Sequence, residues 1–303
     1  MIIGVLGNVI VLFYTIFMER EKTATSYLTG NLAMADLLVC LTLYPIWIVE
    51  FIQTILNIDG DQELFCDLSR STIWALLFAS MATLLAITID RYLYIVKPLK
   101  YPIIVTKRRV LLAISGIWPT TLCVLILIVV QDLYKKDDKG KRSLCDISMV
   151  TLLLINSSIV YIPLTFILIL NFRILNIARI QRKRVVAEAN HFIAGRNFNS
   201  SEQSFKQLSS IQRFFKAIKA VKTFSIVVAV LTFCVLTPTV VGVALEYFRS
   251  DSSIFIWFVV IHYEFIGINS ILNAFIYGMR HIRYKRAFRD ILFRILRCNR
   301  SNK

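Results

Sequence analysis

Histidine is nearly missing from these 303 residues: His191, His262 and His281 are the whole supply, and they are scattered. No metal-ligand or nucleophile constellation can be assembled from them, so the sequence carries no signature of an enzyme. Cysteine is also scarce, and six residues are too few for a disulfide scaffold. Charge is low as well, at 18% of the chain against 57% apolar residues, which departs from the composition of soluble domains. From Ser71 to Ile89 no residue carries a formal charge.

That uncharged stretch belongs to a run from Cys66 to Tyr92. At about 1.5 Å per residue, Cys66 and Asp90 lie roughly 36 Å apart on a helix, more than the ~30 Å hydrocarbon layer of a bilayer. One end therefore emerges on each side. Similar apolar blocks recur, and they predict membrane spans at about 1–18, 27–53, 66–93, 109–131, 147–175, 218–248 and 254–278. The expected fold is an all-α membrane protein, a seven-transmembrane helix bundle over 1–278 with a short amphipathic eighth helix and tail over 279–303. In that tail, basic residues alternate at helical spacing with Phe288, Ile291 and Leu292, a pattern suited to lying along a membrane surface.

The net charge of +16 is unevenly placed: 28 of the 35 Lys and Arg fall on the side that Arg91 reaches, and 7 on the other. Short basic loops mark the cytoplasm, so the N-terminus is expected outside and the C-terminus inside a plasma membrane. The basic face reads as orientation and contact with anionic lipids, and nucleic acid is not an expected partner. Met1-Ile2-Ile3 opens inside an apolar run with no n-region or cleavage site, so it is not a signal peptide, and the natural outer tail is expected to be absent or very short. Cys40, Cys123 and Cys234 read as small packing residues within spans. Cys66 and Cys145 both fall on the oxidising side, where one bridge could pin the charged 132–146 segment over the bundle mouth.

Buried polar residues punctuate the spans. Asn8 is an amide in an apolar helix, with its partner expected in the second span. There Asn31 and Asp36 occur, and an unpaired carboxylate at that depth costs several kcal/mol. Asp36 is either a neutral carboxyl in the packing or the centre of a cation or polar cluster. Tyr44-Pro45 is expected to kink the second span toward its outer end, and Pro98 to end the third. Pro163 is expected to open a bulge presenting Asn156 or Ser157 inward. The sequon at Asn199 lies on the cytoplasmic side, where it cannot be used.

With these residues placed, the chain resembles the rhodopsin-like (class A) G-protein-coupled receptors over essentially its whole length. Gly7-Asn8, the pattern ending in Ala35-Asp36, Cys66, Asp90-Arg91-Tyr92, Trp118, Cys145, Pro163, Pro238 and Asn273-x-x-x-Tyr277 match in order. The resemblance implies an extracellular ligand that biases a bistable bundle toward a state open to a heterotrimeric G protein, with arrestin as a further partner. Asp90, Arg91, Tyr92, Pro238, Asn273 and Tyr277 take the switch roles, with Arg91 held by Asp90 at rest. Asp36, Ser80, Asn269, Ser270 and Asn273 resemble the family's sodium pocket, so an allosteric sodium ion is the only cofactor expected.

Departures accompany the matches. Ala274 replaces a proline, Leu236 a tryptophan, Asn171 a tyrosine, and Ile218 an acid that often locks the arginine, so weaker locking and appreciable basal activity are expected. Where amine receptors carry their aspartate this chain has Ile73, followed by Trp74 and Leu77, which disfavours a simple biogenic amine. Gly267 stands where opsins attach retinal, which excludes a photopigment. The remaining candidates for the ligand pocket are Trp47, Glu50, Asn156, Leu236, Glu246, His262, Tyr263 and Glu264, and they point to a small peptide with a cationic group or a lipophilic small molecule. Glu264 stands out as an acid inside an apolar helix, where it either serves function or bonds a neighbouring helix. The rival readings are a decoy or orphan that binds ligand without coupling and, further off, a transporter, for which no inverted repeats are visible.

Overall fold

The computed structural model describes residues 1–19, 22–56, 62–137, 157–194, 224–237, 241, 264–265, 267–274 and 289. Among them there is no strand. Helix α1 spans Ile2–Phe13 and widens into a π-turn at Tyr14–Met18; α2 spans Ala24–Leu56 and α3 Gln62–Val96. A single turn, α4 (Tyr101–Ile104), leads to α5 (Lys107–Asp137). A second π-turn at Ser157–Tyr161 enters α6 (Ile162–Ala194), α7 covers Phe224–Thr237, and residues 267–274 are helical.

Local chemistry sets several of these boundaries. Before α2, Thr23 Oγ1 accepts the Ser26 N–H at 3.3 Å while Ser26 Oγ accepts the Thr23 N–H at 3.2 Å, a reciprocal cap that fixes the first turn. Helix α3 stops at Val96, two residues before Pro98, whose ring cannot follow a helical turn. Thr106 caps α5, and Arg109 Nη1 donates to the Ile103 and Ile104 carbonyls at 3.2 and 2.9 Å, tying α4 to α5. The bulge expected from Pro163 is present as the Ser157–Tyr161 π-turn, directly before that proline. Helix α2 runs on through Pro45 to Leu56.

Helix α3 is the central rod. Of the most apolar 18 residues within its stretch Ser71–Val96, 67% are buried, against 11% for those within Lys107–Val130 of α5. Trp74, Met81, Leu84 and Ile87 of α3 pack with Leu32 of α2, Ile167 of α6 and Leu231 of α7 in one continuous core. Leu112, Leu122, Ile126 and Leu127 of α5 and Phe166 and Phe172 of α6 are exposed, which only a lipid solvent makes favourable. Cys123 is exposed on that same α5, whereas Cys40 and Cys234 are buried; the packing role expected for all three holds for two. Four helices among the described residues are long and apolar enough to cross a membrane, and Ile2–Met18 and Phe224–Thr237 are shorter apolar helices.

The first helix approaches its neighbours through glycine. A Cβ on Gly4 would come within 2.7 Å of both Cys40 Sγ and Ile271 Cγ1, so only hydrogen fits there. The π-turn at Tyr14–Met18, unforeseen from sequence, begins where Thr15 Oγ1 bonds back to the Val11 carbonyl at 2.8 Å and its methyl meets the Gly30 face of α2. The interfacial helix expected after 278, Cys145, and the switch residues Pro238 and Tyr277 lie outside the described residues.

Candidate functional site

Asp36 is fully buried about midway along α2. Ser80 Oγ of α3 donates to its Oδ1 at 3.0 Å, and Asn273 Nδ2 donates to its Oδ2 at 3.0 Å. The Ser270 side chain also hydrogen-bonds the carboxyl group. Asn269 is buried beside Ser270, and its Oδ1 has no partner among the described residues. Two carboxylate oxygens, two hydroxyls and one orphaned amide oxygen form a donor set suited to a small hard cation. Asn273 turns its nitrogen to the carboxylate, which makes it a support for Asp36 rather than an oxygen donor. Asn8 closes the cluster from α1, with Nδ2 donating to the Gly4 carbonyl at 3.0 Å and the Ser270 carbonyl at 3.2 Å. That corrects the partner expected in the second span: the close approach at Gly4 brings α1 to the backbone around Ser270.

A second polar chain lies nearer the Asp90 end. Trp118 Nε1 of α5 donates to Asn31 Oδ1 at 2.9 Å, and Asn31 Nδ2 donates to Thr83 Oγ1 of α3 at 2.8 Å. Thr83 in turn donates to the Ala79 carbonyl at 2.7 Å. Three helices are thereby locked in register, each donor satisfied by the next acceptor.

At the end of α3, Asp90 is held by three groups. Thr25 Oγ1, in the capped first turn of α2, donates to Asp90 Oδ2 at 2.9 Å, and the Tyr101 hydroxyl of α4 donates to Oδ1 at 2.7 Å. Arg91 Nη2 donates to Thr25 Oγ1 at 2.6 Å, while Arg91 Nε stands 3.8 Å from Asp90 Oδ2. The direct ion pair is therefore long, and the Thr25 hydroxyl bridges it, accepting from the guanidinium and donating to the carboxylate. Burial and the bond to Asp90 raise the Tyr101 phenol well above its ordinary value, so it remains a neutral donor. Tyr92 packs with Ile95, Ile174 and Leu175 between α3 and α6.

Neither Thr25 nor Tyr101 was anticipated. Thr25 lies 65 residues before Asp90, and the hint was a threonine inside the Thr23-x-x-Ser26 cap; for Tyr101 it was a tyrosine in the Pro98–Pro102 turn. Asn171 of α6 is buried and accepts a bond from Ser225 Oγ of α7 at 3.0 Å, joining two helices at the position where the resemblance expected a tyrosine.

The expected ligand-pocket residues are dispersed. Ile73, Trp74 and Leu77 are buried in the packing of α3, Leu236 is exposed near the end of α7, and Glu264 is exposed. Trp47, Glu50 and Cys66 lie on described helices, but their side chains, like Asn156, Ile218, Glu246, His262 and Tyr263 altogether, fall outside the described residues.

The family description "7 transmembrane receptor (rhodopsin family)" matches residues 7–277. The chain is 27% identical to the alpha-1A adrenergic receptor of Bos taurus over 323 residues, covering 99% of this chain and 67% of that one. It is 28% identical to the Mus musculus receptor of the same name, covering 100% and 68%, and 28% identical to that of Oryzias latipes, covering 95% and 64%. The chain thus spans about two thirds of the length of these relatives. This multi-pass membrane protein belongs to the rhodopsin family of seven-transmembrane receptors, which are G-protein-coupled receptors and not enzymes.

Proposed function

We propose that this receptor sits in the plasma membrane with its N-terminus outside, binds an extracellular ligand, and in response opens its Asp90 end to a heterotrimeric G protein. The carrying observation is the Arg91 guanidinium held by a threonine bridge beside a buried Asp90, a group restrained at the inner mouth and free to act once the bridge breaks. Anionic lipids meet the basic inner face, and arrestin competes for the opened cavity.

The Asp36 cluster supports a sodium ion as an allosteric ligand, held by Asp36, Ser80, Ser270 and Asn269. The bound cation supplies charge compensation for a carboxylate buried away from water. Asn273 positions that carboxylate, Ser80 ties it to α3, and the whole favours the closed packing.

The relatives are named for adrenergic ligands, yet the aspartate an amine receptor needs on the third span is Ile73 here, buried against Val39, Leu43 and Leu76. That supports a ligand other than a simple biogenic amine: a small peptide with a cationic group, or a lipophilic small molecule. A library screen against cells bearing a promiscuous G-protein reporter, with Arg91→Ala as the silent control, tests the proposal. Wild-type responses that Arg91→Ala abolishes support it. Silence across all transducers would favour a decoy that binds without coupling, the reading to which Leu236 and Ala274 at switch positions lend weight.

A further inference from the structure

Helix α6 turns an apolar stripe inward: Leu164, Ile167, Ile174 and Ala178 are buried and recur at the spacing of a single helix face. Asn171 falls in that stripe and is itself buried, so an amide interrupts a seam that an aliphatic side chain would fill. Its Oδ1 accepts a hydrogen bond from Ser225 Oγ at 3.0 Å, across to the inner end of α7. Around Ser225, Phe224, Val227 and Val228 belong to the same core as Leu164 and Ile167. The pair is therefore a polar link set in an apolar contact between the two helices.

Depth ties this link to the inner mouth. Ile95 of α3 and Ile174 of α6 pack together. Arg91 precedes Ile95 by four residues and Asn171 precedes Ile174 by three, about 6 and 4.5 Å back along helices that cross the membrane in the same direction. Asn171 therefore stands at the level of Arg91, to within about 2 Å. The Arg91 restraint runs instead to α2, where its Nη2 donates to Thr25, so the two links share no residue. Ile218, where the resemblance expected an acid, has no charge with which to hold Arg91.

We infer that Asn171 and Ser225 form a second, uncharged latch that keeps α7 against α6 while the receptor is closed, so that locking is moved to the α6–α7 seam rather than weakened. Asn171 is a positioning residue for the inner end of α7. Inside a membrane such a bond adds little to stability, but it is made at only one spacing and register of the two helices, which lets it discriminate between two packings. This deepens the reading proposed above and rests on its two packings, because it names the contact that α7 must break for the inner mouth to open.

The test uses the purified full chain in nanodiscs and needs no G protein. Spin labels at the exposed positions Arg108 of α5 and Ile226 of α7 report the separation of their inner ends. Asn171→Leu keeps the bulk and deletes the acceptor, and it should raise the ratio of the longer to the shorter population about threefold. Ser225→Ala should do the same, and it decides the matter where Asn171→Leu does not fold. Ser225→Thr, which keeps the hydroxyl, should match the wild type. Combined with Thr25→Val, Asn171→Leu should multiply the two shifts, because contacts without shared partners add in free energy. Populations unchanged by Asn171→Leu and Ser225→Ala, even with a lowered melting temperature, would overturn the inference, as would a double variant no more open than Thr25→Val. Shifted populations in a chain that activates no G protein would preserve the latch and remove the coupling proposal, so the two fail separately.

Discussion

Replacing Thr25 by valine keeps the shape of the side chain and deletes the hydroxyl that bridges Arg91 to Asp90. Two bonds disappear together, one of 2.6 Å from the guanidinium and one of 2.9 Å to the carboxylate. Hydrogen bonds to charged groups contribute about 1.5–3 kcal/mol when sheltered. The Arg91 side chain is 19% exposed, so water replaces part of the loss and only the share unique to the closed state counts. About 1–2 kcal/mol remains, which moves the closed-to-open ratio by a factor of roughly 5–30. The remaining direct contact, Arg91 Nε to Asp90 Oδ2 at 3.8 Å, is too long to compensate. Ligand-free G-protein signalling in transfected cells, normalised to antibody-labelled receptor at the surface, should rise several-fold in Thr25→Val. A basal level within twofold of wild type at matched surface density would refute the bridge as a restraint.

Further outcomes follow from other contacts. Ser225→Ala removes the donor to Asn171 between α6 and α7, and at about 0.6 kcal/mol for a hydrogen bond inside a membrane protein it should raise basal signalling about threefold in the same assay. Asp36→Asn should abolish any dependence of melting temperature on sodium between roughly zero and 150 mM, while wild type gains stability as sodium is added by ordinary ligand linkage; equal sodium curves for the two would remove the cation from the account. Gly4→Ala forces a methyl into a 2.7 Å gap against Cys40 and Ile271 and should cost about 1–3 kcal/mol, read as a lower melting temperature and reduced surface expression.

The sequence carried the architecture because membrane solvation writes long uncharged runs, and because prolines leave local consequences: Pro98 stands just beyond the end of α3 and Pro163 follows a π-turn. The side chains that meet at Asp36 were named by the resemblance to the receptor family; the residues alone said only that a carboxylate at that depth must be neutral in the packing or gather polar neighbours. Pairings between distant residues were less legible. Asn8 bonds the Ser270 carbonyl, 262 residues away, because glycine at position 4 permits close approach, and no periodicity reports a backbone acceptor. Thr25 and Tyr101 escaped notice for a related reason. Each is a common residue in a short cap or turn, and its meaning appears only when α2 and α4 are brought beside the end of α3. The π-turn at Tyr14–Met18 had no proline to announce it; a threonine bonding back to its own helix sufficed.

The central claim is that the bundle has two packings and that the Arg91 restraint sets the balance between them. Spin labels at Arg108 near the start of α5 and at Ile226 near the start of α7, both exposed or partly exposed positions, would report it as a distance distribution in nanodiscs. The account predicts two populations, with the shorter dominant in wild type and the longer enriched by Thr25→Val and by added G protein. A single distribution that neither the substitution nor the G protein moves would contradict it.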